Sequence, residues 1–396
     1  MQVIWVTALA VFFVFVNGAT QLILAKRMGF RIRPVAFSYF LAAGLNLTFG
    51  SITPISGQAE TISVAGLIRR LKERTTALLL SAVIMTILST AQLLGTIVDF
   101  VGESVISGMM GGVGLILSTI AFSLIKTNKR TGIISMISAL ISWVLWQDVV
   151  YTIAVSVAIA SLEYAFLQKK GINTDPIEGT EFIPEDNDTR IAITEKVGFI
   201  KRFKNGSIPL DEDDTSYPLH LRILSGWSGL AFNGRVLLSA AGLVCLEIGA
   251  NIAFGGITAA MSGGSQNPDT LGFVNAVADF ASVPFGGLPL EAIISGTGAT
   301  PYPVLAGALM MILSGIVVIT GLVDKIGNYI PAESIAGFLF VIGFFLTFIP
   351  NTTSVMAAEY VAPGLTALAI TALSKNPFLG LVAGAFITYT GSMFGI

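Results

Sequence analysis

The sequence predicts an all-α polytopic membrane protein of about fourteen transmembrane segments, folded as a 7+7 inverted repeat with one broken span in each half. Three observations predict it. The first is composition: 54% of the 396 residues are apolar and 12% are charged, with a mean hydropathy of +0.81, whereas soluble domains carry about 25% charged residues. The second is a recurrence of apolar runs that can cross a hydrocarbon layer of roughly 30 Å. The third is an internal repeat. The same composition excludes disorder, which needs a chain poor in apolar residues. A formal charge of −2 without a basic stripe excludes nucleic-acid binding. Cys245 is the only cysteine, so there is no disulfide framework. One histidine, His220, and the absence of CxxC, HExxH and GxSxG patterns remove the common metal and hydrolase signatures.

Seven runs precede a single long polar stretch, at 2–24, 35–50, 51–68, 75–97, 100–125, 132–147 and 149–167. Seven follow it, at 231–256, 270–284, 287–299, 301–323, 331–350, 361–374 and 377–394. The first run lacks the basic n-region of a signal peptide and leads directly into further spans, so it is expected to remain as a helix. Runs 51–68 and 287–299 are poor spans, rich in Gly, Ser, Thr and Pro, and each carries a carboxylate, Glu60 or Glu291. Between the repeats 1–167 and 223–396, residues 168–222 hold eleven acidic and eight basic residues. That stretch is too polar for lipid and reads as a solvated connector or a regulatory domain. Turns are expected at Asn173–Pro176 and Asp211–Asp214, and a short strand at Arg190–Thr194.

The repeat appears when the halves are superposed. Residues 80–99 align without gaps on 305–324 at an offset of 225, so that Leu80, Met85, Ile87, Leu88, Ser89, Val98 and Asp99 meet Leu305, Met310, Ile312, Leu313, Ser314, Val323 and Asp324. Phe49-Gly50 and Phe285-Gly286 open the poor span of each half. After a small shift, Gly108 and Gly114 meet Gly337 and Gly343. Seven is odd, so the halves must lie in opposite orientations. Interrupted helices at matching places in inverted halves point to a transporter's central site, because their exposed backbone groups must face protein, water or ligand. Their N-terminal dipoles attract an anion or a polarised carbonyl.

Glu247 stands out among the carboxylates. It lies well inside the apolar stretch LLSAAGLVCLEIGANIAFGG, with Asn251 one turn later on the same face. A charge there is costly, so Glu247 is expected to be protonated or to face a polar cavity, as a proton or substrate ligand. Glu291 follows Phe285-Gly286-Gly287-Leu288-Pro289, where the glycines permit close backbone approach and Pro289 frees a carbonyl. It reads as a ligand contact or as a helix N-terminal charge. Glu60 and Gln58 in the first broken span are further candidates, while Asp279 is expected to organise helix packing. Gly108-Met109-Met110-Gly111-Gly112 reads as a close helix contact.

The string NAVADFASVPFGGLPLE, preceded by LEIGAN, resembles the xanthine/uracil permease family (nucleobase–cation symporter type 2), whose fold the sulfate permeases share. FGSITPISGQ and VGESVISGMMGGVGLI also look like the third and fifth spans of that fold. The resemblance implies a core and a gate domain, each drawn from both repeats, with short strands in spans three and ten crossing near the bilayer centre and an elevator-like core. It implies that Glu247 is the substrate- and proton-linked acid of span eight, with Asn251 the polar position beyond it. The family's second acid falls at Ser295 in this chain, a departure that bears on base recognition. Orientation differs too. All 22 Lys and Arg fall on the side of 168–222, which the positive-inside rule makes cytoplasmic with both termini external, whereas the resemblance implies termini inside.

The expected function is therefore a secondary active transporter of a purine or pyrimidine base, coupled to H⁺ or Na⁺ with no other cofactor. Glu247, Asn251, Glu291, Ser295, Gly287, Ser56, Gln58 and Glu60 would form its binding site. The alternative is an anion permease of sulfate, carboxylate or benzoate type; a channel ranks lower, and an enzyme lacks a His, Cys or paired-Asp constellation at depth. The expected location is the plasma membrane, with lipid, a small-molecule substrate and, by resemblance, a second copy as partners.

Overall fold

The computed structural model describes residues 7, 11, 15, 18, 21–26, 28–68, 70–147, 149–169, 229–323 and 331–394. Most of the polar connector, with its expected turns and strand, and most of the first run lie outside the described residues. In the first half, the elements are α1 (Val35–Phe49), β1 (Ile55–Ser56), α2 (Ala59–Gly66), α3 (Leu71–Thr90), α4 (Leu94–Val101), α5 (Glu103–Thr127), α6 (Lys129–Trp146) and α7 (Val149–Lys169). The second half contains α8 (Gly234–Met261), α9 (Pro268–Asp279), β2 (Glu291–Ala292), α10 (Pro303–Ile319), α11 (Ala336–Phe340), a π-helical segment (Val341–Phe348), α12 (Ile349–Ala357), α13 (Ala362–Ser374) and α14 (Pro377–Phe394). The fold is the expected polytopic all-α repeat, with a strand in each broken span.

Helix pairing has the symmetry of an inverted repeat. In the first half α6 packs on α7, and in the second α13 packs on α14. Between halves, α1 packs on α10 and α3 on α9, while α5 packs on α13 and α11 on α6. Each of these pairs is the other's image when the halves exchange. Gly114 and Gly343, aligned by sequence alone, meet backbone to backbone: a Cβ on either would strike the other's carbonyl oxygen. Gly108 faces the backbone of Gly364, and Gly337 faces that of Ser135. One offset of 229 relates Gly108 to Gly337 and Ser135 to Gly364. The glycines permit helix approach at backbone distance, which is how spans associate where lipid removes the hydrophobic drive between them.

Two helix groups result. α1, the strands, α2, α3, α8, α9 and α10 pack with one another, and α5, α6, α7 and α11 to α14 form the other group. The groups meet where α8 touches α14 and α5, and where α2 touches α5.

Two expectations need correction. The run 75–97 is not one span: α3 ends at Thr90 and α4 leaves it at 95°. Gln92 takes a positive φ of 57° at the bend, and the Asp269 carboxylate accepts the amide of Leu94 at 3.0 Å. The run 287–299 carries no α-helix after its strand, only a 3₁₀ turn over Gly296–Ala299. Among the described residues, three helices are long and apolar enough to cross a bilayer alone: Glu103–Thr127, Gly234–Met261 and the continuous stretch Glu333–Ala357. The others are shorter; the 15 residues of α1 reach only about 22 Å at 1.5 Å per residue.

Candidate functional site

β1 and β2 run antiparallel, with Ile55 opposite Ala292 and Ser56 opposite Glu291. Two residues per strand make a weak ladder, so side chains from the surrounding helices supply the rest of the backbone pairing. The Gln58 amide donates to the Ala292 carbonyl at 2.7 Å. The Ile293 N–H donates to the Pro54 carbonyl at 3.3 Å. Thr258, on α8, is bonded twice: its hydroxyl donates to the Ile293 carbonyl at 2.8 Å and accepts the Ser295 N–H at 3.0 Å. Behind β1, the Tyr39 and Ser56 hydroxyls are bonded at 2.8 Å.

The approaches to the strands are held in the same way. The Gln266 side-chain oxygen accepts the Ile52 N–H at 2.9 Å, and the Asn46 amide donates to the carbonyls of Ser51 and Thr53. In the other half, the Asp279 carboxylate accepts the Leu290 N–H at 2.8 Å. Gly286 sits at φ +82°, and the Gly287 Cα faces Ser282, where a Cβ would come within 2.7 Å of its side chain.

The eight predicted site residues separate into two kinds. Ser56, Gln58, Asn251, Gly287 and Ser295 belong to the frame. The Asn251 side-chain oxygen accepts from the Asn275 amide at 2.7 Å, tying α8 to α9, while its Nδ2 is buried without a hydrogen-bond partner. The Ser295 hydroxyl accepts the Thr297 N–H at 3.2 Å and starts the 3₁₀ turn. Glu60, Glu247 and Glu291 are different. All three are buried, and each has a carboxylate oxygen without a hydrogen-bond partner: Oε2 of Glu60, Oε1 of Glu247 and Oε2 of Glu291. α8, which carries Glu247, packs on both α2, which carries Glu60, and β2, which carries Glu291. The broken spans therefore bring acids from three segments around one strand pair. Among the described residues no three His, Cys, Asp or Glu side chains converge closely enough to hold a metal ion.

A cavity of about 740 Å³ lies between α8, the end of α2 and start of α3, and the junction of α13 and α14. Its inner wall includes Val64, one turn beyond Glu60, and Leu243, one turn before Glu247. Its mouth carries Arg70, Arg235 and Lys375, with Glu73 as the one acid in its lining; Glu73 is paired with Arg70 at 3.4 Å. Asn376, from the second helix group, donates to the Leu238 carbonyl of α8 at 3.1 Å and joins the two groups beside the cavity.

Sequence reasoning missed Thr258, Gln266 and Asn275, polar residues in or beside apolar runs whose partners lie in other segments. No family model matches the chain, and no curated protein matches it. Its fold is found in solved structures. The transmembrane domain of a cyanobacterial bicarbonate transporter, BicA, aligns with a TM-score of 0.62 at 14% identity, over 96% of this chain and 97% of that one. The murine anion transporter Slc26a9 in its inward-facing state aligns at 0.56 and 15% identity, over 99% of this chain and 69% of that one. A further SLC26A9 structure aligns at 0.51 and 14% identity, over 95% and 65%. At these identities the likeness establishes the fold alone: this chain shares the architecture of those transmembrane domains.

Proposed function

We propose that the protein is a secondary active transporter of a small anion, coupled to H⁺ or Na⁺, in which the strand-bearing helix group moves as a core against the second group as a gate. The observation that carries this reading is the meeting of two broken spans, strand against strand, beside three buried acids with free carboxylate oxygens. α2 begins just after β1, so its positive end lies next to the strand pair. The cationic mouth raises the local concentration of an anion. The acids would repel that anion unless a proton or cation neutralised them, which makes co-transport the economical arrangement. The nucleobase reading has lost its support, since Ser295 is engaged in the frame and the fold's solved neighbours are named as bicarbonate and anion transporters. A plasma-membrane homodimer remains part of the proposal.

The test is uptake into proteoliposomes under an imposed pH or Na⁺ gradient, using bicarbonate, sulfate, benzoate, uracil and xanthine, for wild type and Glu247→Gln. Gradient-driven uptake of an anion, lost or uncoupled in the variant, is the expected result. Uptake of a base with no anion transported would overturn the anion reading.

A further inference from the structure

At one contact between the two helix groups a candidate acid meets a polar side chain of the opposite group. Glu60, in the first turn of α2, is 3% exposed, and its Oε1 lies 3.3 Å from the hydroxyl of Thr347. Thr347 belongs to the π-helical segment of the opposite group, and its hydroxyl is 2.9 Å from the Ile342 carbonyl five residues earlier. π-helical turns in otherwise α-helical spans recur at functional positions. A threonine hydroxyl has a single hydrogen. It can make one well-aligned bond, to Ile342 or to Glu60; sharing it between them weakens both. Both contacts are full hydrogen bonds at once when Glu60 supplies a hydrogen, donating its carboxyl O–H to Thr347 Oγ1 while Thr347 donates to Ile342.

We propose that Glu60 is the proton-binding latch between the core and the gate, docking α2 on the π-helical segment when neutral and releasing it when ionised; this deepens the transporter reading above and rests on it. An ionised Glu60 left in place would take the only hydrogen from the Ile342 carbonyl and bury a charge on Oε2, which has no partner. It has another place to go. Gln58 occupies the N-cap of α2 without capping it, because its amide is committed to Ala292. The Glu60 carboxyl already faces its own backbone N–H in the docked position, and the neighbouring first-turn N–H groups of α2 are the further donors an ionised carboxylate would turn to, at the helix end whose dipole favours it.

The surroundings leave this choice to Glu60. Around α2, the adjoining strand pair carries Glu291, in β2, and α8 carries Glu247, both of the same sign. α5 has no ionisable residue between Glu103 and Lys126, and 336–357 has none at all. On α3, the Arg74 guanidinium donates to the carbonyls of Met28 and Gly29 and faces away.

Hydrogen exchange of the full-length protein in nanodiscs tests the latch without any substrate, so its failure is separate from failure of the uptake assay. Protection of 341–348 is measured against pH, corrected for intrinsic exchange, with 303–319 as the internal control. In wild type it should fall about tenfold per pH unit once the proton is lost, as expected for one linked proton. Glu60→Gln keeps a neutral donor and should stay protected throughout. Thr347→Val should be poorly protected at every pH, and Thr347→Ser should restore the wild-type slope. A flat wild-type profile would overturn the proposal, as would a wild-type slope in Glu60→Gln with 303–319 intact.

Discussion

Thr258→Val removes one hydroxyl from the frame and changes almost nothing else. Valine has the same shape, and Thr258 is fully buried, so no cavity opens and no side chain is newly exposed. What is lost is a partner for the Ile293 carbonyl at 2.8 Å and for the Ser295 N–H at 3.0 Å. In a water-soluble core, two buried groups left unpaired would cost about 1–3 kcal/mol each. Inside a membrane the unfolded reference also finds partners, and measured contributions average about 0.6 kcal/mol with a ceiling near 1.7. The membrane figure governs here, giving about 1–3 kcal/mol for the pair. At roughly 2 °C per kcal/mol for a long chain, the melting point should fall by about 2–6 °C. Cys245 supplies the assay: it is the only cysteine and is 7% exposed, so a thiol-reactive fluorophore reports its release on a thermal ramp. Thr258→Ser keeps both hydrogen bonds and should melt within about 1 kcal/mol of wild type, having lost one methyl. If Thr258→Val melts with wild type, the hydroxyl does not hold β2, and the account of how so short a strand is fixed is wrong.

Three further outcomes are expected. Gly114→Leu places side-chain carbon against the backbone of Gly343 and within 2.6 Å of the Phe348 nitrogen, so α5 and the π-helical segment must separate; loss of the monodisperse peak on size exclusion is the readout. Gly44→Ala, at an exposed helical position with nothing within 4 Å of its Cβ, should be neutral or stabilising by about 0.5–1 kcal/mol in the same thermal assay. Arg235→Gln combined with Lys375→Gln should raise KM for the transported anion at low ionic strength and leave kcat unchanged. That difference should shrink toward 1 M salt, where the screening length falls to about 3 Å; a KM effect that persists there would mean direct binding rather than attraction at the mouth.

The composition and spacing of the sequence determined that the chain lives in lipid, that its halves are inverted copies, and that 51–68 and 287–299 are the interrupted spans. These properties are local or periodic. Hydropathy is set by a window of residues, and a duplicated span keeps its pattern, so Gly114 and Gly343 could be paired before any contact was known. Glu247 stood out because an acid inside an apolar run is costly, and Glu60 and Glu291 because they sit in the interrupted spans. The structure left each of them a free carboxylate oxygen.

Only the tertiary structure decided what the neutral polar residues do. Asn251 reads as Glu247's companion from its spacing of four, and nothing in that spacing shows that its side-chain oxygen is bonded to Asn275 on another helix. Gly287 reads as room for a ligand, and the room is taken by Ser282. Thr258 and Thr347 carry no signal, since a threonine in a span is cheap whether it bonds its own helix or reaches another. Their contacts join α8 to β2 and the π-helical segment to α2, the latter across 287 residues of chain. Such a partner is chosen by how the two halves interlock, and one-dimensional hydropathy contains no record of that.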